Sequence, residues 1–224
     1  MNTELARFNM IEQQIRPWEV LDQNVLTLMA TVRREDFVPP ALKSLAFADL
    51  QLPLIADEPH GPVMLEPKIQ AKLLQELQVQ RHEKVLEIGT GSGFMAALLA
   101  HRGQQVRTLE CRAALVAQAR ENLRRAGVTT VRVVEVTPED GARGLPAEAP
   151  FDAIVLSGSV AEVPRALLEQ LKVGGRLAAI VGELPIMRAR IYTRVGPEAW
   201  SEVDLFDTVA PRLQGFAERP RFAF

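Results

Sequence analysis

The fold is decided by residues 84–93, which read Lys84-Val85-Leu86-Glu87-Ile88-Gly89-Thr90-Gly91-Ser92-Gly93. The first half of this stretch has the apolar composition of a buried strand, and three glycines follow at alternate positions. Residues 94–102 then form a helical run, so the order strand, glycine turn, helix is typical of a nucleotide-binding α/β sheet. Glycine lets the chain reverse tightly and lets a ligand approach bare backbone. The free N–H groups at the helix start complete the predicted floor of a cofactor site.

The spacing of the glycines indicates which cofactor this floor holds. Dinucleotide enzymes favour G-x-G-x-x-G, whereas the third glycine here, Gly93, comes one residue early. Glu87 lies two residues before Gly89, and this E-x-G-x-G-x-G pattern resembles the first motif of class I methyltransferases that use S-adenosylmethionine. A second predicted strand, residues 105–110, ends in Glu110. We expect this acid at the strand tip to accept hydrogen bonds from both ribose hydroxyls.

Bulk composition excludes several classes of protein. The chain has 224 residues, of which 47% are hydrophobic, and a formal net charge of −2, which suits one compact domain. No apolar run approaches the ~20 residues that a bilayer span needs, and the first ten residues lack a signal sequence. The near-neutral charge argues against nucleic acid as a partner. The three histidines lack the spacing of metal ligands, so no metal is expected.

The single cysteine, Cys111, predicts the cellular compartment. It excludes an intramolecular disulfide and fits a reducing cytoplasm. Because it directly follows the second strand, we interpret Cys111 as a packing residue beside the cofactor rather than as a nucleophile.

The chain divides by pattern into two parts. Residues 1–83 are predicted to be a helical extension that packs on the main domain, with a proline-rich loop at 49–67 lying over the methyl-donor end of the cofactor. From residue 84 to residue 224, strands alternate with helices, as in a doubly wound, mostly parallel sheet. Basic residues and a glycine predict helix ends at 101–103, 124–127 and 172–174. Alternation over 188–195 and a turn before Trp200 predict a final antiparallel hairpin.

Longer motifs make a family recognisable across nearly the whole chain. The glycine stretch is nearly identical to L-E-I-G-T-G-S-G-Y, and residues 25–39 resemble V-L-x-A-M-x-x-V-P-R-E-x-F-V-P. Residues 149–154 match A-P-F-D-A-I, and residues 164–177 match P-x-x-L-x-x-Q-L-x-x-G-G-R-L. These segments resemble the protein-L-isoaspartate (D-aspartate) O-methyltransferase family. The resemblance implies a Rossmann-like class I methyltransferase with a seven-stranded sheet, which esterifies isoaspartyl carboxylates in damaged proteins so that they can be repaired.

The resemblance also implies a set of cofactor-binding residues for S-adenosyl-L-methionine. Asp140, in the D-G-x-x-G that follows the third strand, is expected near the adenine. The full predicted set is Glu87, Gly89, Thr90, Gly91, Ser92, Gly93, Glu110, Cys111, Asp140 and Gly141.

The acceptor half of the site departs from the family. The family loop reads G-Q-T-I-S-Q-P, but Val63, Leu65 and Glu66 stand here at the positions of the threonine, the serine and the second glutamine. A carboxylate acceptor is ionised at pH 7 and needs no base, but it does need donors that hold its oxygens. Leu65 cannot donate, and Glu66 would repel the acceptor if it pointed inward. Ser157, where the family has T-A and this chain has Ser157-Gly158, is a candidate replacement for one hydroxyl.

These departures leave several functions open. The protein is a repair methyltransferase that is weak on isoaspartyl peptides, or a paralogue with the same cofactor and another small acceptor, or a cofactor-binding domain without catalysis. A nicotinamide oxidoreductase is disfavoured by the glycine spacing. For a neutral acceptor, His60 beside the loop is a candidate base, although an exposed loop histidine is the alternative interpretation.

Overall fold

A computed structural model describes residues 2–55, 58 and 61–218. Among these residues, the N-terminal extension contains three α-helices: α1 (Thr3–Met10), α2 (Gln23–Thr31) and α3 (Pro67–Leu77). The side chains of Asn2 and Asp22 cap α1 and α2, and Pro67 occupies the first turn of α3. A π-helical turn (Ile11–Ile15) continues α1.

The loop at 49–67 contains a short two-stranded sheet that its composition did not indicate. Strand β1 (Leu52–Pro53) pairs antiparallel with β2 (Val63–Met64), and Leu52 lies opposite Met64. Both of these side chains are almost fully buried. Apolar burial therefore holds the two sides of this ribbon together, with Pro53 inside β1 itself.

In the described part of the chain, the remaining seven strands form one sheet, and four further helices alternate with them along the sequence. The strands are β3 (Lys84–Ile88), β4 (Gln105–Glu110), β5 (Val131–Glu135), β6 (Phe151–Val160), β7 (Leu171–Glu183), β8 (Ile186–Gly196) and β9 (Ala199–Thr208). The helices are α4 (Phe94–Ala100), α5 (Ala113–Arg125), α6 (Pro138–Arg143) and α7 (Arg165–Leu168). The spatial order is β5-β4-β3-β6-β7-β8-β9. The first five strands in this order are parallel, and β8 and β9 add an antiparallel hairpin. The predicted fold class is confirmed.

The strand order reverses between β3 and β6, and this reversal positions the site. From β3 the chain builds outward through β4 and β5, then returns to the other side of β3 as β6. Ligands of open α/β sheets bind outside the carboxyl ends of the strands at such a switch point.

One predicted helix end is wrong. Helix α7 ends at Leu168, and residues 172–174 already belong to β7. A Cβ on Gly175 would lie 3.0 Å from the Asp152 carbonyl oxygen and 3.1 Å from that of Phe151, so close approach of two backbones accounts for Gly175. Gly174, the glycine that resembled a helix cap, instead has a φ of 84° within β7, a left-handed conformation that favours glycine.

The extension and the sheet share one buried apolar cluster. Met10, Leu73 and Leu77 from the extension belong to the same cluster as Val85 and Ala178 from the sheet. The division of the chain at residue 83 stays a prediction. The buried apolar cluster is continuous across this position, so the two parts share one core. In the part of the chain that the structure describes, no helix has the length and apolar character to cross a bilayer.

Candidate functional site

A cavity of about 320 Å³ lies at the carboxyl ends of the central strands. Its apolar side is formed by the last residue of β3, the last but one of β4 and the residue after β5: Ile88, Leu109 and Val136. The glycine turn forms its floor. Another side is formed by Val63 and Leu65 of residues 49–67, the loop that we call the acceptor loop. The two halves that the sequence predicts thus meet in one cavity.

The glycine turn requires glycine for its backbone conformation. Gly89, Gly91 and Gly93 all have positive φ angles, of 91°, 55° and 88°. At Gly89 a Cβ would also lie 2.7 Å from the side chain of Leu213. The turn is anchored to the neighbouring strand, because the Gly89 N–H donates to the Leu109 carbonyl at 2.9 Å. It presents bare backbone to the cavity.

Glu110 lies in the cavity wall with its carboxylate already oriented. Its Oε2 accepts from the Gly91 N–H at 2.8 Å, and its Oε1 accepts from the N–H groups of Cys111 and Arg112 at 3.0 and 3.1 Å. Three backbone donors therefore hold the acid that the sequence predicts for the ribose. Burial, the largest cause, raises the pKa of the Cys111 thiol, which keeps the thiol neutral near pH 7 and unsuited to act as a nucleophile.

Glu87 lies fully buried beneath the turn, at the centre of a chain of hydroxyls. The Ser157 hydroxyl donates to Oε1 and the Thr108 hydroxyl donates to Oε2, both at 2.7 Å. The hydroxyl oxygens of Thr108 and Thr90 are 2.6 Å apart. Burial raises the pKa of Glu87 to about 7, against these hydrogen bonds. Because the single proton of Ser157 is directed at Glu87, Ser157 does not replace the donor that the acceptor loop lost.

The remaining predicted cofactor residues are divided. Gly141 lies in the cavity wall, whereas the Asp140 side chain is exposed, accepts from Thr137 Oγ1 at 3.0 Å and pairs with Arg143. Ser92 is buried behind the turn and accepts from Asn122 through its carbonyl. Within residues 2–55, 58 and 61–218, no group of three or more His, Cys, Asp or Glu side chains is placed to hold a metal ion.

The acceptor loop is held from below by a buried arginine. Leu65 is only 4% exposed, and its carbonyl accepts from Arg34 Nη2 at 2.6 Å. Burial lowers the pKa of Arg34 to about 9, which still leaves the guanidinium charged near pH 7. Glu66 does not line the cavity, and its Oε1 accepts from Gln51 at 3.3 Å, so the repulsion considered for an inward-pointing Glu66 does not arise. His60 lies outside the described residues.

Sequence reasoning missed the segment that roofs the cavity. Residues 209–216, which we name the strap, follow β9 and cross the ends of β6 and β4. The strap is bonded to Ser159 of β6 on three sides, with the Ser159 N–H and hydroxyl donating to the strap and its carbonyl accepting from Leu213. Pro211, Arg212, Leu213 and Gln214 line the cavity. The strap has no motif or periodicity that the sequence could show, and its contacts are distant along the chain: Ser159 and Ala210 are 51 residues apart, and Cys111 and Gln214 are 103 apart.

With this geometry established, the chain can be compared with known proteins. A family model described as "Protein-L-isoaspartate(D-aspartate) O-methyltransferase (PCMT)" matches residues 6–196. A protein-L-isoaspartate O-methyltransferase from Methanoculleus marisnigri is 43% identical over 176 residues, which are 79% of this chain and 77% of that protein. A protein-L-isoaspartate O-methyltransferase 1 from Syntrophobacter fumaroxidans is 38% identical over 205 residues and spans 92% of each chain. The chain belongs to this family.

Solved structures agree with this assignment at the level of the fold. A putative protein-L-isoaspartate O-methyltransferase from Plasmodium falciparum superposes with a TM-score of 0.76 at 20% identity, covering 96% of this chain and 99% of that one. That protein was solved in complex with S-adenosyl-L-homocysteine, which is S-adenosyl-L-methionine without its transferable methyl group. The family and the enzyme class that the sequence predicts are confirmed.

The cavity fits S-adenosyl-L-methionine by the chemistry of its walls. The apolar strand ends suit a flat adenine, the Glu110 carboxylate suits two ribose hydroxyls, and Gly89 and Gly91 of the turn line the cavity without side chains. The individual residue roles stay predictions.

Proposed function

We propose that this protein esterifies the carboxylate of isoaspartyl residues in peptides or proteins, with S-adenosyl-L-methionine as the methyl donor. The observation that carries the proposal is the single cavity in which the nucleotide cradle of Gly89 and Glu110 meets the acceptor loop at Val63 and Leu65. Family membership supports the same reaction. The single cysteine supports a reducing compartment, the cytoplasm.

The residues of this chain position the reactants rather than exchange protons. S-adenosyl-L-methionine, when bound, supplies an electrophilic methyl group on a sulfonium. The acceptor carboxylate is ionised at pH 7, so no general base is needed. Glu110 and the turn backbone fix one reactant, and the loop with the strap encloses the other and limits the access of water. Methyl transfer is an in-line displacement, so the carboxylate oxygen must lie opposite the sulfur that leaves. Positioning of the two reactants therefore contributes much of the rate.

A second candidate function rests on one specific observation. Val63 and Leu65, which stand where the family has hydroxyls, both line the cavity and have apolar side chains. A paralogue that methylates another small acceptor would have the same cofactor half and this altered loop. Fold and cofactor site do not decide between the two acceptors.

A transfer assay tests the proposal. Labelled S-adenosyl-L-methionine is supplied with an isoaspartyl peptide, and cell extract is tested in parallel as an open pool of acceptors. We expect the natural protein to label the peptide weakly. Combined Val63→Thr and Leu65→Ser changes should raise kcat/KM by at least about tenfold, since even one restored donor to a charged group is worth on the order of 1.5 kcal/mol.

The matched control is Glu66→Gln, which changes the same loop at a side chain outside the cavity wall and should leave the rate unaltered. If neither the natural protein nor the restored variant labels the peptide while an extract component is labelled, the second candidate function replaces the first.

A further inference from the structure

We propose that Arg212 of the strap binds the carboxylate of the acceptor and so makes this cavity selective for an anionic substrate; the inference rests on the proposed function above. Arg212 lines the cavity together with Val63 and Leu65 of the acceptor loop. Its guanidinium would supply part of the set of donors that those two positions lack.

The charges around the cavity single out this residue. Glu110 is satisfied by backbone N–H groups, and Arg112 pairs with Glu58 at 2.7 Å. The Arg212 guanidinium makes no hydrogen bond or ion pair with any side chain in the described ranges, and its Nη1 is buried without an acceptor. Arg212 as a whole is only half-buried, but a buried guanidinium N–H without an acceptor is unfavourable until an anion arrives to accept from it.

The strap fixes the backbone of Arg212 at a defined point between the acceptor loop and the cofactor half. At its start, the Val209 carbonyl accepts from Gln51 Nε2 at 2.8 Å, the same amide that contacts Glu66 of the loop. At its far end, Gln214 lies 3.4 Å from the Cys111 thiol, beside Glu110. Arg212 itself forms a bridge with Ser159. The residue therefore lies on a strap that spans the distance from acceptor loop to ribose site.

The chemistry of an arginine suits this role. A guanidinium stays charged at any working pH and offers two parallel donors that match a carboxylate. One carboxylate oxygen can keep a lone pair free for bond formation while the group is held. Esterification converts the anion into a neutral ester, so the ion pair with Arg212 exists for the substrate and is lost with the product. The methyl ester would therefore bind more weakly than the acid, which favours release of the product.

The test measures binding without turnover. The full chain is saturated with S-adenosyl-L-homocysteine, and calorimetry measures its affinity for an isoaspartyl peptide and for the same peptide with that carboxylate converted to the amide. We expect the natural protein to prefer the acid by at least about tenfold, the effect of one charged hydrogen bond. Arg212→Gln should bind both peptides alike, and Arg212→Lys should keep part of the preference. Arg132→Gln, on an exposed part of β5, is the matched control and should behave as the natural protein.

The outcomes separate this inference from the proposed function. If Arg212→Gln keeps the preference for the acid, or if the natural protein shows none or does not bind the acid peptide, the inference is overturned. Methyl transfer to the acid peptide is measured in parallel. An Arg212-dependent preference without any transfer leaves the inference standing and overturns the proposed function. Methyl transfer to the acid peptide with the same KM in Arg212→Gln as in the natural protein overturns the inference and leaves the proposed function standing. An unchanged affinity of each variant for S-adenosyl-L-homocysteine shows that the fold is retained.

Discussion

At the scale of single residues, Glu87 illustrates how one buried carboxyl couples the site to pH. It is fully buried, and the hydroxyls of Thr108 and Ser157 only partly offset the loss of water, so its pKa rises to about 7. In the unfolded chain a glutamate titrates near 4.3. Between these values the folded state holds a proton that the unfolded state has lost. The free energy of unfolding therefore falls as pH rises through this window. Above pH 7 Glu87 is ionised in the folded state, and the full cost of burying its charge is present.

The corresponding prediction concerns Glu87→Gln. Because glutamine cannot ionise, the variant should gain stability relative to the natural protein as pH rises from 5 to 8, by on the order of 3 kcal/mol at most. Urea unfolding at a series of pH values measures this, since the other titrating groups are common to both proteins and cancel in the difference. A difference in unfolding free energy that stays constant over this range would show that Glu87 does not titrate there.

At the scale of elements, the strap explains why this chain has a glycine at position 158. The family has an alanine where this chain has Gly158. A Cβ on Gly158 would lie 2.8 Å from Leu213 Cδ2, 2.9 Å from its Cγ and 3.1 Å from the Pro211 carbonyl oxygen. The same leucine also covers Gly89 of the cofactor turn. The glycine therefore makes the space into which the strap packs.

We expect Gly158→Ala to displace the strap and to cost about 1–3 kcal/mol of stability, as overpacking of a close contact does. Leu213→Ala removes the two atoms closest to the new methyl group and leaves only the Pro211 carbonyl oxygen at 3.1 Å. The double variant should therefore be less destabilised than the two single changes added together, and urea unfolding of all four proteins measures this coupling. Additive effects would mean that Gly158 and Leu213 do not constrain each other.

Elements also show what the sequence could and could not predict. Strand, glycine turn and helix at residues 84–100 are local features, and the sheet order follows from alternating patterns, so the fold and the cofactor half were predictable. The strap and the β1–β2 ribbon are not held by local patterns. Ser159 and Ala210 are 51 residues apart, and the strap is extended chain without periodicity. Arg212 could therefore not be assigned to the acceptor site before the tertiary structure was known.

At the scale of the whole molecule, the extension and the sheet are joined by specific contacts as well as by shared burial. Trp18 of the extension packs edge to face on Phe206 of β9, with ring centroids 5.3 Å apart. Arg176 of β7 forms an ion pair with Glu83 at 2.6 Å and donates to the Leu77 carbonyl at the end of α3. A partly buried ion pair of this kind is costly to break on one side only. Neither part keeps its buried surface covered without the other.

We therefore expect residues 1–83 and 84–224 to unfold in one cooperative transition. The chain contains only two tryptophans, one in each part, Trp18 and Trp200. Trp200→Phe leaves a fluorophore that reports on the extension, and Trp18→Phe leaves one that reports on the sheet and keeps an aromatic ring against Phe206. In each variant the urea midpoint from fluorescence should coincide with the midpoint from far-ultraviolet circular dichroism, which is the test of two-state behaviour. Saturation with S-adenosyl-L-homocysteine should raise both midpoints together, because a ligand that binds only the native state stabilises every part that unfolds with it. A Trp18 signal that is lost at lower urea than the circular dichroism, or that does not respond to the ligand, would show that the extension unfolds independently of the cofactor domain.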